Sequence, residues 1–220
     1  QYSVGELHRQ IRATSELNGY HTHIVMVDDG SSDGSWQVIN QLSASDPMVL
    51  GIRFRRNFGK AAALSAGFDV AEDPIIVTMD ADLQDDPAEL PLLLAKLEQG
   101  YDVVSGWKVD SQDPWHKTIP SWFFNKLVGT MTGVRLHDHN CGFKVYRREV
   151  FDEVRLYGEL HRFVPVLAAA RGFKVAEAAV NHRARRHGRS KYGVSRIVKG
   201  FLDLLTVKFI TGFGQRPQHL

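Results

Sequence analysis

The sequence predicts an α/β protein with a mainly parallel central sheet, and three patterns predict it. Short apolar, β-branched runs alternate with helical stripes from residue 23 to about residue 105, the order of a repeated strand–helix unit. One of these runs, Ile75 to Met79, is apolar without alternation, as a strand covered on both faces of a parallel sheet is. Three of them run straight into polar loops rich in acids, glycine or basic residues, and open α/β sheets bind their ligands just beyond the carboxyl ends of their strands.

Taken in order, Ser3 with Glu6 reads as a capping box opening a helix with Leu7, Ile11 and Leu17 on one stripe. A helix at the start of an α/β unit implies a strand before it. His23 to Val27 is the first strand and ends in Asp28-Asp29-Gly30-Ser31-Ser32-Asp33-Gly34-Ser35. Acids there can accept hydrogen bonds from a nucleobase or ribose, and the glycines let a ligand approach the backbone; a plain turn with a helix cap reads the same letters. A helix carrying Trp36, Val38, Ile39 and Leu42 follows, then a strand from Val49 to Phe54. The next helix, Ala61 to Val70, is rich in small residues and can pack tightly on a sheet. Its start, with Lys60 after Gly59, is a candidate phosphate site. The spacing matches neither a Walker loop nor a dinucleotide fingerprint, which argues against an ATPase or an NAD enzyme.

The third strand leads into Asp80-Ala81-Asp82-Leu83-Gln84-Asp85-Asp86-Pro87-Ala88-Glu89. Side chains two apart on an extended chain share a face, so Asp80 and Asp82 aim two carboxylates at one point. Like charges so placed need a cation or a proton between them, and hard oxygen donors suit Mg2+ or Mn2+, which could bridge to a diphosphate. Asp86, Pro87 and Glu89 read as N-cap, N1 and N3 of the next helix, which runs to about Gln99, and are assigned to structure. A strand from Tyr101 to Ser105 completes the alternation.

After Gly106 the rhythm changes. Trp107 to Trp115 is polar, Ile119 to Met131 is an aromatic helix with Pro120 near its start, and His137 to Tyr146 is a polar turn entering a strand. His137, Asp138 and His139 lack a second His or Cys group at zinc spacing. Glu159 to Arg171 is a helix that Pro165 kinks or begins, and Phe173 to Val180 is a strand. The basic stretch 183–193 comes next. From Val194 to Phe213, Ile197, Val198, Phe201, Leu204, Leu205 and Phe209 form one apolar face of an amphipathic helix. Such a face suits a membrane interface, a partner helix or the protein's own core.

Composition narrows the classes. Of 220 residues, 43% are hydrophobic and 24% charged, ordinary for a folded domain. The net charge of +2 hides an asymmetry: acids concentrate before about residue 115, whereas Arg183, Arg185, Arg186, Arg189, Lys191, Arg196 and Lys199 cluster late. That distribution makes a basic patch for an anionic ligand or surface. The single cysteine, Cys141, excludes an internal disulfide framework. No apolar run is long enough to span a bilayer, and no signal peptide is visible.

Together VDDGSSDGS, RNFGKAAALSAGF, MDADLQDDP, DHNCGFKVYRR and RARRHGRSKYG, followed by the apolar helix, resemble the family 2 glycosyltransferases. Within them they resemble the polyprenyl-phosphate enzymes related to dolichol-phosphate mannose synthase and bactoprenol glucosyltransferase. The resemblance implies a Rossmann-like fold of the glycosyltransferase A type with a C-terminal amphipathic interface helix. It implies a catalytic domain over 1–192 and a juxtamembrane helix and tail over 193–220. By the same resemblance Asp28 and Asp29 lie near base and ribose, with Lys60 and Asp80 completing the nucleotide site. Asp80, Asp82 and Gln84 hold Mg2+ or Mn2+, and Asp82 and Asp138 stand at the reacting centre. Arg185, Ser190 and Lys191 receive the lipid phosphate, with Lys144 where some relatives carry Arg.

The expected reaction is inverting transfer of a hexose from a nucleotide sugar, UDP-glucose first and GDP-mannose second, to polyprenyl phosphate at the cytoplasmic face of a membrane. The expected partners are these substrates, the membrane surface and a second copy of the chain, with no nucleic acid. The family's first strand and its Pro-x-Tyr-Asn-Glu-like loop are missing, as are the transmembrane helices that follow Arg-Pro in many relatives; both are expected in the full-length protein. A soluble acceptor or a catalytically silent binding subunit are the rival readings. The lack of Gln-x-x-Arg-Trp argues against a processive polysaccharide synthase.

Overall fold

A computed structural model describes residues 2–108, 115–156, 160–181, 183 and 194–213. In chain order the elements are α1 (Tyr2–Asn18), β1 (Ile24–Asp28), α2 (Ser35–Ser45), β2 (Val49–Arg53), α3 (Lys60–Val70) and β3 (Ile75–Thr78). A 3-10 turn (Pro87–Glu89), α4 (Leu90–Glu98), β4 (Val103–Lys108), α5 (Trp115–Thr132), β5 (Lys144–Arg147) and α6 (Val150–Glu153) follow. A second 3-10 turn (Leu160–Phe163), α7 (Val164–Ala170), β6 (Val175–Val180) and α8 (Val194–Phe213) complete the described chain.

Among the described residues the strands pair in two sheets. β1 and β2 are parallel, Ile24 opposite Val49, and the second sheet runs β3-β5-β4-β6. β4 and β6 are parallel, Val103 opposite Val175, whereas β5 is antiparallel to both β3 and β4. The α/β class and the two parallel pairs agree with the strand–helix alternation; the reversed strand and the split do not follow from it. β5 runs backwards because the loop before it already lies at the carboxyl rim of β3, where Thr78 pairs with Lys144. The chain enters β5 at the end where β3 stops.

β3 is covered on one face only. Ile76 and Thr78 are buried while Ile75 and Val77 are 38% and 37% exposed. This corrects the expectation of cover on both faces: β3 is an end strand of its sheet, and apolarity alone does not say which side a neighbour takes. The β4 and β5 strands divide two cores. Val103 and Tyr146 face Val128, Phe163, Val164 and Leu204, and Val104 and Val145 face Leu93, Leu97 and Phe143. The small-residue helix α3 spans the two sheets: Gly67 lies against Val27 of β1, and Phe68 stacks on Phe151 at 3.7 Å, beside Tyr146 of β5.

Helix starts depart from expectation in two places. α1 is already helical at Tyr2, and Glu6 accepts hydrogen bonds from Arg9 (3.0 Å) and Gln10 (2.5 Å) instead of closing a box with Ser3. Asp86 does cap its helix, accepting from the Ala88 amide at 3.0 Å with Pro87 at the first position, but Glu89 instead accepts from Asn181 at 2.6 Å. Pro165 sits in the first turn of α7, where its missing N–H costs nothing. α8 buries Leu204 and Val207 in the core and leaves Phe201, Leu202, Leu205 and Phe209 exposed, so the helix satisfies the core reading and keeps an apolar outer side.

Candidate active site

The acidic loop is shaped by a strained turn. Leu83 has φ 63°, a left-handed conformation uncommon for a side-chain-bearing residue, and its side chain is buried as an anchor. The turn brings the Gln84 amide to Asp82 Oδ1 at 3.1 Å. Asp80 is paired with the Lys60 ammonium from the start of α3, so the predicted phosphate lysine and the predicted metal acid stand together. Although enclosure raises the Asp80 carboxyl, the Lys60, Lys108 and Lys144 charges bring it below the ordinary carboxylate value.

Behind Asp80 the wall is bare backbone. A Cβ added to Gly142 would lie 2.7 Å from Asp80 Oδ2, and Thr78 Oγ1 donates to the Gly142 carbonyl at 2.8 Å. Asp85 is buried beneath the same loop, and burial, reinforced by Asp80 and Asp82 against the pull of Lys108, pushes its carboxyl up to about 6. Asp80, Asp82 and the buried Asp85 share this loop, and Lys60 is paired with Asp80. The oxygen donors of Asp80, Asp82 and Gln84 are of the chemical kind that Mg2+ and Mn2+ take. Among the described residues no three His, Cys, Asp or Glu side chains converge so that they could hold a metal ion.

At the end of β1, Asp28 is buried. Its Oδ1 accepts from the Ser31 amide at 2.9 Å, while Oδ2 is enclosed without a hydrogen bond, 3.8 Å from Arg53 Nε. An orphaned acceptor at a strand's carboxyl end is poised for a donor from a ligand. A cavity of about 230 Å³ lined by Gly30, Ser31, Arg53, Phe54 and Arg55 opens beside it. Gly30 permits this packing: φ is 73°, and a Cβ there would stand 2.5 Å from the Arg56 carbonyl carbon. Asp29 accepts from the Phe58 and Gly59 amides at 2.7 and 3.0 Å and so pins the entry of α3, which carries Lys60. Gly59, at φ 94° and ψ 159°, adopts a backbone conformation reserved for glycine.

The loop before β5 closes the rim from the other side. Asp138 Oδ1 accepts from the Asn140 amide at 2.8 Å. Its neighbour His137 is held by Glu177, which takes the backbone N–H at 2.8 Å through Oε2 and the ring Nδ1 through Oε1. Trp107 stacks on the His137 ring at 4.0 Å and 15°, and Asn125 donates to its carbonyl at 2.6 Å. Lys144 is buried, and its ammonium donates to the carbonyls of Cys141 and of His139 (3.4 Å), holding the loop from below. Burial lowers its pKa.

The basic stretch is anchored at its first residue. The Arg183 amide donates to the Gln84 carbonyl at 2.9 Å, and its guanidinium reaches Gln10 Oε1 at 2.9 Å and pairs with Asp86. The chain therefore enters the basic stretch beside the acidic loop. Arg185, Ser190 and Lys191 lie outside the described residues. Asp28 and Asp29 lie at the end of β1, Lys60 at the start of α3, Asp80, Asp82 and Gln84 in the loop after β3, and Asp138 in the loop before β5, which Lys144 begins. Sequence reasoning passed over Asp85, Gly142 and Glu177, and it placed Arg183 in the basic patch without its tie to Asp86 and Gln84. Asp85 sits inside an acid run where nothing marks which carboxyl turns inward, and the other three act through contacts with residues far away in the chain.

The α/β domain has a fold of the Rossmann-like glycosyltransferase A type, with acids and a lysine at its sheet rim. Residues 4–155 match the model of "Glycosyl transferase family 2", and the chain belongs to that family. Among curated proteins it is 39% identical to the dodecaprenyl-phosphate galacturonate synthase of Rhizobium johnstonii, over 100% of this chain and 66% of that protein. It is 35% identical to the undecaprenyl-phosphate 4-deoxy-4-formamido-L-arabinose transferase of Aeromonas hydrophila, over 93% of this chain and 63% of the other. The chain thus spans less than two thirds of the length of these relatives. In fold it resembles Mycobacterium tuberculosis glucosyl-3-phosphoglycerate synthase, crystallised with Mn2+, uridine diphosphate and phosphoglyceric acid. The TM-score is 0.67 at 15% identity, covering 90% of this chain and 72% of that one.

Proposed function

We propose that this domain transfers a sugar from a nucleoside diphosphate sugar to a polyprenyl phosphate, with inversion at the anomeric carbon, at the cytoplasmic face of a membrane. The observation that carries the reading is the pairing of Lys60 with Asp80 beside the loop of Asp82 and Gln84, where the Arg183 amide ties the start of the basic stretch to the Gln84 carbonyl. The names of the two curated relatives, both polyprenyl-phosphate enzymes, support the acceptor class.

Asp28, with its orphaned carboxylate oxygen, takes a hydrogen bond from the base or ribose, and Asp29 holds the α3 entry so that Lys60 can reach the diphosphate. Asp80, Asp82 and Gln84 would hold a divalent ion, whose charge would neutralise the departing diphosphate. In the substrate complex Lys60 moves from Asp80 to the phosphates. A phosphate monoester is anionic at neutral pH and needs little help from a base, so Asp138 orients acceptor or sugar. Arg185, Ser190 and Lys191 hold the acceptor phosphate by charge-assisted hydrogen bonds, and the Lys144 ammonium fixes the Asp138 loop.

The exposed apolar side of α8, with Phe201, Leu202, Leu205 and Phe209, would lie along the interface; no described helix is long and apolar enough to cross a membrane. The same side could join two copies. UDP-glucose is the first donor to test and GDP-mannose the second, with galacturonosyl and formamidoarabinosyl donors added from the relatives' names. Donor turnover with and without polyprenyl phosphate, in Mg2+ or Mn2+, is the test. Turnover that depends on the lipid supports the reading, turnover only with a soluble acceptor redirects it, and none with any donor points to a silent binding subunit. Asp82→Asn should abolish transfer with the fold intact, and wild-type turnover in that variant refutes the metal assignment.

A further inference from the structure

His137 is held more firmly than packing explains. Its side chain is 61% exposed, yet the backbone N–H and ring Nδ1 are both taken by Glu177, the carbonyl by Asn125, and one ring face by Trp107 at 4.0 Å. Three elements, β6, α5 and β4, converge on one exposed imidazole. Ordering an exposed ring this way costs conformational entropy without the return of burial. With Nδ1 committed to a carboxylate, the ring orientation is set, and no described residue bonds Nε2. The ring belongs to the same rim as the acids: Asp138 follows it in the chain, and Lys108, which follows Trp107, acts on Asp80 and Asp85.

We infer that His137 contacts substrate, presenting its Nε2–H to a phosphate oxygen of the bound donor or acceptor. This rests on the transfer reading above. As an imidazolium the ring donates from both nitrogens, Nδ1 to Glu177 and Nε2 to the oxyanion, and the indole face beneath stabilises the cation. Glu177 is a positioning residue that keeps the ring edge outward.

Calorimetric titration of the chain with farnesyl phosphate, a short polyprenyl phosphate, and separately with uridine diphosphate plus MnCl2, tests the assignment. His137→Ala should weaken one of the two by about tenfold, the loss of one charge-assisted hydrogen bond, and the affected arm identifies which phosphate is held. His137→Gln, which keeps an N–H on a chain of similar reach, should recover part of the loss. Unchanged affinity for both ligands in His137→Ala, with wild-type binding intact, overturns the inference alone, as does a fall in thermal stability with no change in affinity. A wild-type chain that binds neither ligand refutes the transfer reading and this inference with it.

Discussion

His139 makes the stability of this domain depend on acid in a calculable way. The ring is fully buried, and burial, with the Lys144 ammonium nearby and only the Val134 backbone opposing, brings its pKa from 6.5 down to about 4. The folded state therefore binds the proton less readily than the unfolded chain does. The stabilisation is complete above pH 6.5 and is lost as pH falls through about 4. At about 1.4 kcal/mol per pH unit, the gap between 6.5 and about 4 amounts to about 3 kcal/mol, of which about 2 kcal/mol is gone by pH 5. Domains of this kind have total stabilities of about 5–15 kcal/mol, so the loss is easily read.

His139→Leu removes the titration and at most a poorly aligned contact with the Val134 backbone, and at pH 7.5 it should lie within about 1 kcal/mol of wild type. Urea unfolding followed by circular dichroism at pH 7.5, 6 and 5 should show the variant gaining on wild type by about 2 kcal/mol across the range. Parallel curves for the two proteins, or a His139 ring that titrates near 6.5 by NMR, would refute the reasoning.

Gly142→Ala puts a methyl group 2.7 Å from Asp80 Oδ2; it should cut Mn2+ affinity and turnover by tenfold or more at near-normal thermal stability, and calorimetry with Mn2+ checks it. Lys60→Gln removes the cation paired with Asp80. Mn2+ binding to the nucleotide-free domain should tighten severalfold while transfer slows, and weaker Mn2+ binding would contradict the placement of the two groups. Arg183→Ala unties the basic stretch from Asp86 and Gln10. The KM for polyprenyl phosphate should rise severalfold with the KM for the donor little changed, and equal effects on both would argue against an acceptor role for that stretch.

Elements whose making is local are legible from the letters. The stripe of α2, the small-residue run of α3, the Asp86 cap and the Pro165 start of α7 are properties of a few neighbouring residues, and the structure has them at those places. The shared face expected of Asp80 and Asp82 is a strand argument, and it does not carry over: β3 ends at Thr78, and Ala81 and Asp82 lie in a turn. The family, too, follows from the order of short motifs along the chain.

Other features depend on residues distant in sequence meeting in space, and no local rule reports them. The reversed direction of β5 places Gly142 behind Asp80, and the burial of Asp85 selects one carboxyl from a run of acids. Lys60 neutralises Asp80 across 20 positions, and Glu177 holds His137 across 40. Burial and electrostatics are sums over every neighbour, so the charge state of Asp85, the neutrality of His139 and the exposure of His137 exist only once the chain has closed around them.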